Sequence, residues 1–120
     1  MNYQSNLPDE LLYGRVGCLY SLLFVKQYCK EKVDDTLIRN IANTIISSGK
    51  SFAEQLQQTG CTVPPLMFEW HEQKYLGPAH GMAGIIYLLL QVNIISSYRV
   101  PNSRFTLNPM ENIRINKYKP

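Results

Sequence analysis

The segment at residues 12–25 reads LYGRVGCLYSLLFV, and a matching segment at residues 79–92 reads AHGMAGIIYLLLQV. The two align without gaps at a spacing of 67 residues. Their shared positions include two pairs of glycines, which are Gly14 with Gly81 and Gly17 with Gly84. Internal similarity at a fixed spacing is typical of folds that stack one repeated unit. Because such units rarely bury their apolar faces with only two copies, we expect the chain to be a segment of a larger architecture.

Helical periodicity surrounds both copies and predicts an all-α fold. Residues 15–30 are apolar nearly all round, which predicts a buried helix. Residues 33–46 carry apolar side chains at three- and four-residue intervals, and Ser47-Ser48-Gly49 ends that run. A short continuation reaches about residue 58, and the connector that follows contains two prolines, which stop a helix. A third, buried helix is expected over residues 81–97. Buried and amphipathic helices therefore alternate, as in a toroid of helical hairpins. A small helical bundle is the alternative fold that this pattern also allows.

The composition favours one globular domain followed by a tail. Apolar residues make up 45% of the 120 residues and charged residues 18%, which excludes wholesale disorder. Residues 1–98 carry seven Lys or Arg against eight Asp or Glu, whereas residues 99–120 carry five against one. The tail is also rich in proline and asparagine, so we expect it to be irregular and basic. A solvated terminus is the preferred interpretation of this charge, and no nucleic-acid partner is predicted.

Cysteine usage and apolar run length set expectations about location. Cys18, Cys29 and Cys61 have no metal-type spacing, and the first two lie in apolar surroundings where a buried free thiol is ordinary. An odd cysteine count and a polar start predict a reducing, cytoplasmic setting. The longest apolar runs, residues 16–25 and 82–95, fall short of the about 20 residues that cross a bilayer. No transmembrane segment is expected, and peripheral association with the plasma membrane stays open.

The glycines of each Gly-x-x-Gly share one helix face. Glycine costs about 1 kcal/mol relative to alanine inside a helix, so two matching pairs indicate a common requirement. That requirement is a close approach of backbone, either between neighbouring inner helices or between a helix start and a ligand. For Gly17 and Gly84, helix packing is the preferred alternative.

Candidate proton-handling residues lie at the starts of the two copies. His80 precedes the second Gly-x-x-Gly, where the first copy has Tyr13. At a helix N-terminus the dipole favours a neutral imidazole, so His80 is either a proton carrier beside an acid or a local hydrogen-bond anchor. Asp9 and Glu10 stand at the mouth of the first helix, where capping alone explains carboxylates. His71 lies in an aromatic and charged segment suited to a cleft wall or a solvated loop.

Two stretches closely resemble the eukaryotic LanC-like proteins, relatives of bacterial lanthionine synthetase C. They are residues 9–17, which read DELLYGRVG, and residues 69–85, which read EWHEQKYLGPAHGMAGI; the resemblance spans about residues 5–95. It implies an α/α toroid of inner and outer helical hairpins with a central zinc ion. It also implies addition of a thiol, glutathione in the eukaryotic members, to dehydroamino acids in proteins. In that chemistry zinc activates the thiol, and a histidine and an acid handle protons.

The resemblance carries over to few residues of this chain. His80 matches the family's non-ligand histidine, and Glu10 occupies the acidic position, with Asp9 as a substitute if the register slips by one. The inner-helix glycines match Gly14, Gly17, Gly81 and Gly84. The family's zinc ligands come from a Cys segment and a Cys-His-Gly segment that this chain lacks. We therefore expect residues 1–98 to form a partial α/α toroid, an incomplete ring that is inactive by itself, with residues 99–120 as the irregular tail.

Two other functions remain open from the residues alone. Carbohydrate-processing α/α toroids use carboxylate pairs as acid and base, and Glu69, Glu72, Asp9 and Glu10 are the candidates here, although their spacing specifies nothing. A non-catalytic interaction module is the second alternative, in which another protein covers exposed inner helices. The peptide and glutathione partners of the first hypothesis rest on the family resemblance.

Overall fold

The computed structural model describes residues 7–29 and 32–92. Within them lie three helices, α1 (Arg15–Tyr28), α2 (Asp35–Gln58) and α3 (Met82–Gln91). The same residues contain no strand, and their one isolated bridge pairs Trp70 with Gln73. The all-α class is therefore confirmed, whereas the partial α/α toroid, an incomplete ring, stays a prediction. The division at residue 98, the basic tail and the end of the helix expected over residues 81–97 lie outside the described residues.

Helix α1 holds the core together because it packs against both α2 and α3. The side chains of the main buried cluster come from all three helices and from one loop aromatic, and they are Val16, Leu19, Ile38, Ala42, Ile45, Phe68, Ile85, Leu88 and Leu89. Burying a side chain of this size stabilises the fold by about 1.5–3 kcal/mol. Since α1 and α3 lie side by side, the loops that precede them meet at one end of the core.

The prediction that α1 is buried all round was wrong. Only Val16 and Leu19 are buried on this helix, whereas Tyr20, Phe24 and Tyr28 are each at least half exposed. Within the described part of the chain, α2 and α3 cover one side of α1 and leave the opposite side open. The expected burial of Cys18 and Cys29 fails for a related reason: Cys18 lies on the uncovered side and Cys29 follows the last turn, and both are exposed.

Helix α2 is longer than the sequence pattern predicted. It begins after Asp34, whose side chain accepts a hydrogen bond of 2.8 Å from the Thr36 N–H, a standard N-cap. It then runs unbroken through Gly49 to Gln58, so the expected stop at residues 47–49 was wrong. Gly49 is buried, and a Cβ placed on it would lie 2.4 Å from the ring of Phe68. The absence of a side chain at Gly49 therefore lets the ring of Phe68 pack against α2, and this glycine does not end the helix.

The described helices include none that combines the length and apolarity needed to cross a bilayer.

Candidate functional site

The two sequence copies form two units of the same construction, the first unit (residues 8–25) and the second unit (residues 75–92). In the first, the N–H of Arg15 donates to the carbonyl of Pro8 at 2.9 Å. In the second, the N–H of Met82 donates to the carbonyl of Tyr75, also at 2.9 Å. Both bonds join residues seven positions apart. In each unit, therefore, the loop before the helix folds back over the first helical turn.

The glycines make this fold-back sterically feasible. A Cβ on Gly17 would lie 2.2 Å from the carbonyl oxygen of Leu11, and a Cβ on Gly84 would lie 2.0 Å from that of Pro78. Gly14 and Gly81 are crowded in the same way by their own loops. Close backbone approach was predicted, and the backbone that comes close is the loop of the same unit. The nearest atoms at Gly17 and Gly84 do not belong to a neighbouring helix among the described residues, and the ligand alternative stays a prediction.

Hydrogen bonds join the loop of the first unit to that of the second. The N–H of Leu11 donates to the carbonyl of Ala79 at 3.3 Å. Beside it, Nδ1 of His80 lies 2.8 Å from Oε2 of Glu10. These residues are 70 positions apart in the chain, and the packing of α3 against α1 brings them together.

Glu10 is held as a carboxylate by its surroundings. The side chain is only 2% exposed, and it accepts hydrogen bonds from the backbone N–H groups of Leu12, at 3.0 Å, and Tyr13. Burial acts to raise the pKa of this carboxyl, but the hydrogen bond from His80 and the two backbone donors outweigh burial and lower the pKa below its ordinary value. Glu10 thus closes the loop before α1 and also presents a negative charge to His80.

The Glu10 carboxylate determines which nitrogen of His80 can exchange a proton. A carboxylate only accepts hydrogen bonds, so Nδ1 of the neutral ring carries the hydrogen and Nε2 carries the lone pair. The His80 side chain is 30% exposed and stands directly before Gly81, the N-cap of α3. This is the predicted position at a helix start beside an acid. A histidine oriented in this way can take up a proton and return it.

An aromatic side chain that the sequence pattern did not single out covers His80. The ring of Trp70 stacks on the imidazole with centroids 4.2 Å apart and planes 10° from parallel. Tyr13 lies beside both, with its centroid 6.0 Å from Trp70, and Tyr75 approaches His80 at 6.0 Å. His71 is exposed and meets only the edge of Trp70 among the rings described here. Most of residues 68–75 are exposed, and Trp70 is the member of this segment that covers His80; the choice between a cleft wall and a solvated loop stays open.

Asp9 has different partners from Glu10. One carboxylate oxygen lies 2.8 Å from Nη1 of Arg15, and the other accepts from Oγ of Ser48 at 2.5 Å. These contacts tie the first loop to α1 and α2. The geometry therefore favours Glu10 over Asp9 as the acid partner of His80, while a catalytic role for either stays a prediction.

A cleft of about 540 Å³ borders the site on the α1 side. Its lining includes Tyr13, Gly14, Gly17 and Cys18, so Tyr13 separates the cleft from the Trp70–His80 stack. The volume falls within the range of about 300–1,000 Å³ typical of small-molecule sites.

The described residues do not fit a zinc ion. Residues 7–29 and 32–92 bring together no group of three or more His, Cys, Asp or Glu side chains that could hold a metal. Structural and catalytic zinc sites use three or four protein ligands. Glu10 and His80 form a pair that is already hydrogen bonded to each other.

Comparisons with known proteins identify a family model and a curated relative that this chain resembles. The family model described as lanthionine synthetase C-like protein matches residues 1–102. A curated zebrafish (Danio rerio) protein named glutathione S-transferase LANCL1 is 42% identical over 94 residues, which cover 78% of this chain and 23% of the relative. The chain thus spans about a quarter of the length of that relative.

Proposed function

The chain belongs to the lanthionine synthetase C-like family, and from this premise we propose that it supplies the proton-transfer pair of a site that adds glutathione to dehydroamino acids. The observation that carries the proposal is the 2.8 Å hydrogen bond between Glu10 and His80, which come from two different units. The name of the zebrafish relative, a glutathione S-transferase, supports the thiol substrate. A cleft of about 540 Å³ lies on the α1 side of Tyr13, whose ring is next to the His80 imidazole.

The proposed reaction gives His80 two tasks. The lone pair on Nε2 takes the proton of the glutathione thiol, and the thiolate attacks Cβ of the dehydroamino acid. A carbon–sulfur bond forms as the Cα=Cβ π bond breaks, and the electron pair moves to Cα. The imidazolium then returns its proton to Cα, which completes the thioether. Glu10 accepts the Nδ1 hydrogen throughout and stabilises the charged ring.

Thiol activation by zinc is expected from the family, but the described residues offer no metal site. We therefore include in the proposal that the isolated chain binds glutathione and does not catalyse its addition. A cytoplasmic setting, with or without peripheral contact at the plasma membrane, is part of the same proposal.

The test is a titration of the ¹⁵N-labelled 120-residue chain with glutathione, followed by NMR. Saturable shift changes are expected at His80, Glu10 and Trp70. His80→Gln should abolish them, whereas His71→Gln, which alters the exposed histidine of the same segment, should retain them. Absence of saturable shifts at these residues, or equal shifts in His80→Gln, would overturn the assignment.

A parallel assay measures glutathione addition to a dehydroalanine peptide by mass spectrometry. We expect the chain to give only the uncatalysed rate, with or without added zinc. A zinc-dependent rate that His80→Gln removes would overturn the claim of inactivity while supporting the role of His80.

One observation favours the interaction-module alternative as a second candidate. Tyr20, Phe24 and Tyr28 form a continuous exposed row on α1, with neighbouring ring centroids 6.4 and 5.0 Å apart. Exposed apolar rows of this kind mark interaction surfaces. Sedimentation of the chain and of Phe24→Ser tests this function: self-association that the variant loses supports it, and a monomer in both cases counts against self-association.

The carbohydrate alternative gains no such support. The carboxylates of Asp9 and Glu10 are engaged by Arg15 and His80, and Glu69 and Glu72 are exposed.

A further inference from the structure

The residues that follow Trp70 form a turn that the backbone adopts only at a cost. His71 has φ 49° and Glu72 has φ 58°, so both occupy the left-handed region without being glycine. Trp70 and Gln73 close this two-residue turn with reciprocal backbone hydrogen bonds of 3.0 and 3.1 Å. Such turns favour Asn-Gly at the two central positions. Strained conformations persist where the surroundings enforce them, and they concentrate at functional sites.

The surroundings hold this turn from both sides. Upstream, the N–H of Met67 donates to the carbonyl of Gly49 at 3.0 Å, and the ring of Phe68 packs over Gly49. Downstream, the carbonyl of Tyr75 accepts the N–H of Met82 at the start of α3. Residues 68–74 therefore connect Met67, which is bonded to α2, with Tyr75, which is bonded to the start of α3. The tight turn at residues 70–73 lets this short segment span the two attachment points.

The consequence is the position of one side chain. Trp70 lies with its ring on the imidazole of His80 at 4.2 Å and 10°. Rotating the imidazole about its bond to Cβ would drive its edge into the indole face. The same rotation would move Nδ1 away from the Glu10 carboxylate and break their hydrogen bond. An indole face also attracts a cationic ring, so the stack suits both protonation states of His80.

We propose that Trp70 is a positioning residue, which locks the His80 imidazole so that Nδ1 stays on Glu10 and Nε2 stays available for proton exchange. The role of this fixed orientation in proton transfer rests on the proposed function. The orientation itself is a property of the free chain and can be tested without glutathione.

The experiment is NMR of the ¹⁵N-labelled imidazole of His80 at neutral pH. The wild-type chain is expected to show the Nδ1–H tautomer almost alone, with ring protons shifted upfield by the stacked indole. Trp70→Ala removes the stack, and the population of the Nε2–H tautomer should rise roughly fivefold. Trp70→Phe, which retains an aromatic face, should restore the wild-type tautomer.

Two further variants separate orientation from folding. Phe52→Leu removes an aromatic ring of α2 that lies 5.9 Å from the ammonium group of Lys74. This variant should leave the tautomer of His80 unchanged. Trp70→Leu fills the space without a stack and decides the question if Trp70→Ala does not fold. Retention of the Nδ1–H tautomer in a folded Trp70→Ala or Trp70→Leu chain would overturn the proposal. A failed glutathione titration with a locked tautomer would overturn the proposed function alone.

Discussion

The first and second units have similar backbone conformations at their helix starts but differ in the side chains they carry there. Their N-cap glycines adopt nearly the same conformation, with φ −122° in both and ψ −167° or −172°. The hydrogen bond from Arg15 to Pro8 has its counterpart in the bond from Met82 to Tyr75. Yet the first unit has Glu10 and Tyr13 where the second has Gly77 and His80. The positions that build the unit are thus shared, and the positions that carry chemistry are not.

This difference shows how a repeat can form an acid–base pair. The pair joins positions that are not equivalent: the acid stands where the second unit has Gly77, and the histidine stands where the first unit has Tyr13. Because the copies differ at these two alignment positions, the loop of the first unit provides a carboxylate and the loop of the second provides its imidazole partner, 2.8 Å away. The packing of α3 on α1 then suffices to bring them together.

The largest expected effect tests whether the shared positions are equivalent. Gly17→Ala and Gly84→Ala each place a methyl group about 2 Å from a backbone carbonyl oxygen, which cannot move as a flexible side chain would. We expect each to lower the unfolding free energy by about 3 kcal/mol, the upper end for overpacking, as measured by urea denaturation.

Gly77→Ala is the matched control, since a Cβ there meets nothing within 4 Å. It should unfold at or slightly above the wild-type urea concentration. Wild-type stability in Gly17→Ala or Gly84→Ala would contradict the common construction of the units.

A smaller effect is expected at a position where the units differ. Glu10→Gln keeps the shape of the side chain but replaces charged hydrogen bonds with neutral ones, so a loss of about 1 kcal/mol is expected at pH 7. The pKa of Glu10 is lowered in the folded chain, so its stabilising contribution is complete above the ordinary value of 4.5 and is lost as the pH falls through the folded pKa. The stability difference between wild type and Glu10→Gln should therefore shrink on acidification. A difference that stays constant or grows would contradict this role.

Asp9→Asn distinguishes the neighbouring carboxylate. Asp9 bonds Arg15 and Ser48 rather than His80, so the variant should lose about 1 kcal/mol of stability while the NMR signals of the His80 ring stay as in the wild type. A changed His80 tautomer in Asp9→Asn would show that the two acids are coupled and that Glu10 is not the sole partner.

The smallest effect is expected for Tyr13→His, which gives the first unit the residue of the second. Tyr13 is 69% exposed, so stability should change by no more than about 0.5 kcal/mol. The counterpart of Glu10 for this new imidazole is Gly77, which has no side chain. Its NMR signals should therefore report two exchanging tautomers, and a single locked tautomer would contradict the asymmetry of the pair.

The sequence pattern predicted the helix starts well, because the starts of α1 and α3 are marked by glycines that the two copies repeat and the start of α2 is marked by the N-cap residue Asp34. It failed at Gly49, since that glycine accommodates Phe68, a contact between residues 19 positions apart that no local pattern encodes. Trp70 escaped notice for a similar reason: His71 and Glu72 do not have the composition of a two-residue turn, so the hairpin that delivers the indole has no sequence signature. His80 and an acid were both predicted, but only the packing of α3 on α1 distinguished Glu10 from Asp9.

The most direct test of the pair is a double-mutant cycle on the unfolding free energy, with Glu10→Ala, His80→Ala and the double variant. The backbone donors that Glu10 leaves unpaired are the same in the single and double variants, so they cancel in the cycle. If the two units join through this hydrogen bond, the coupling energy should be about 1–3 kcal/mol. Effects that add to within about 0.5 kcal/mol would contradict the claim that the first unit supplies the acid for the histidine of the second.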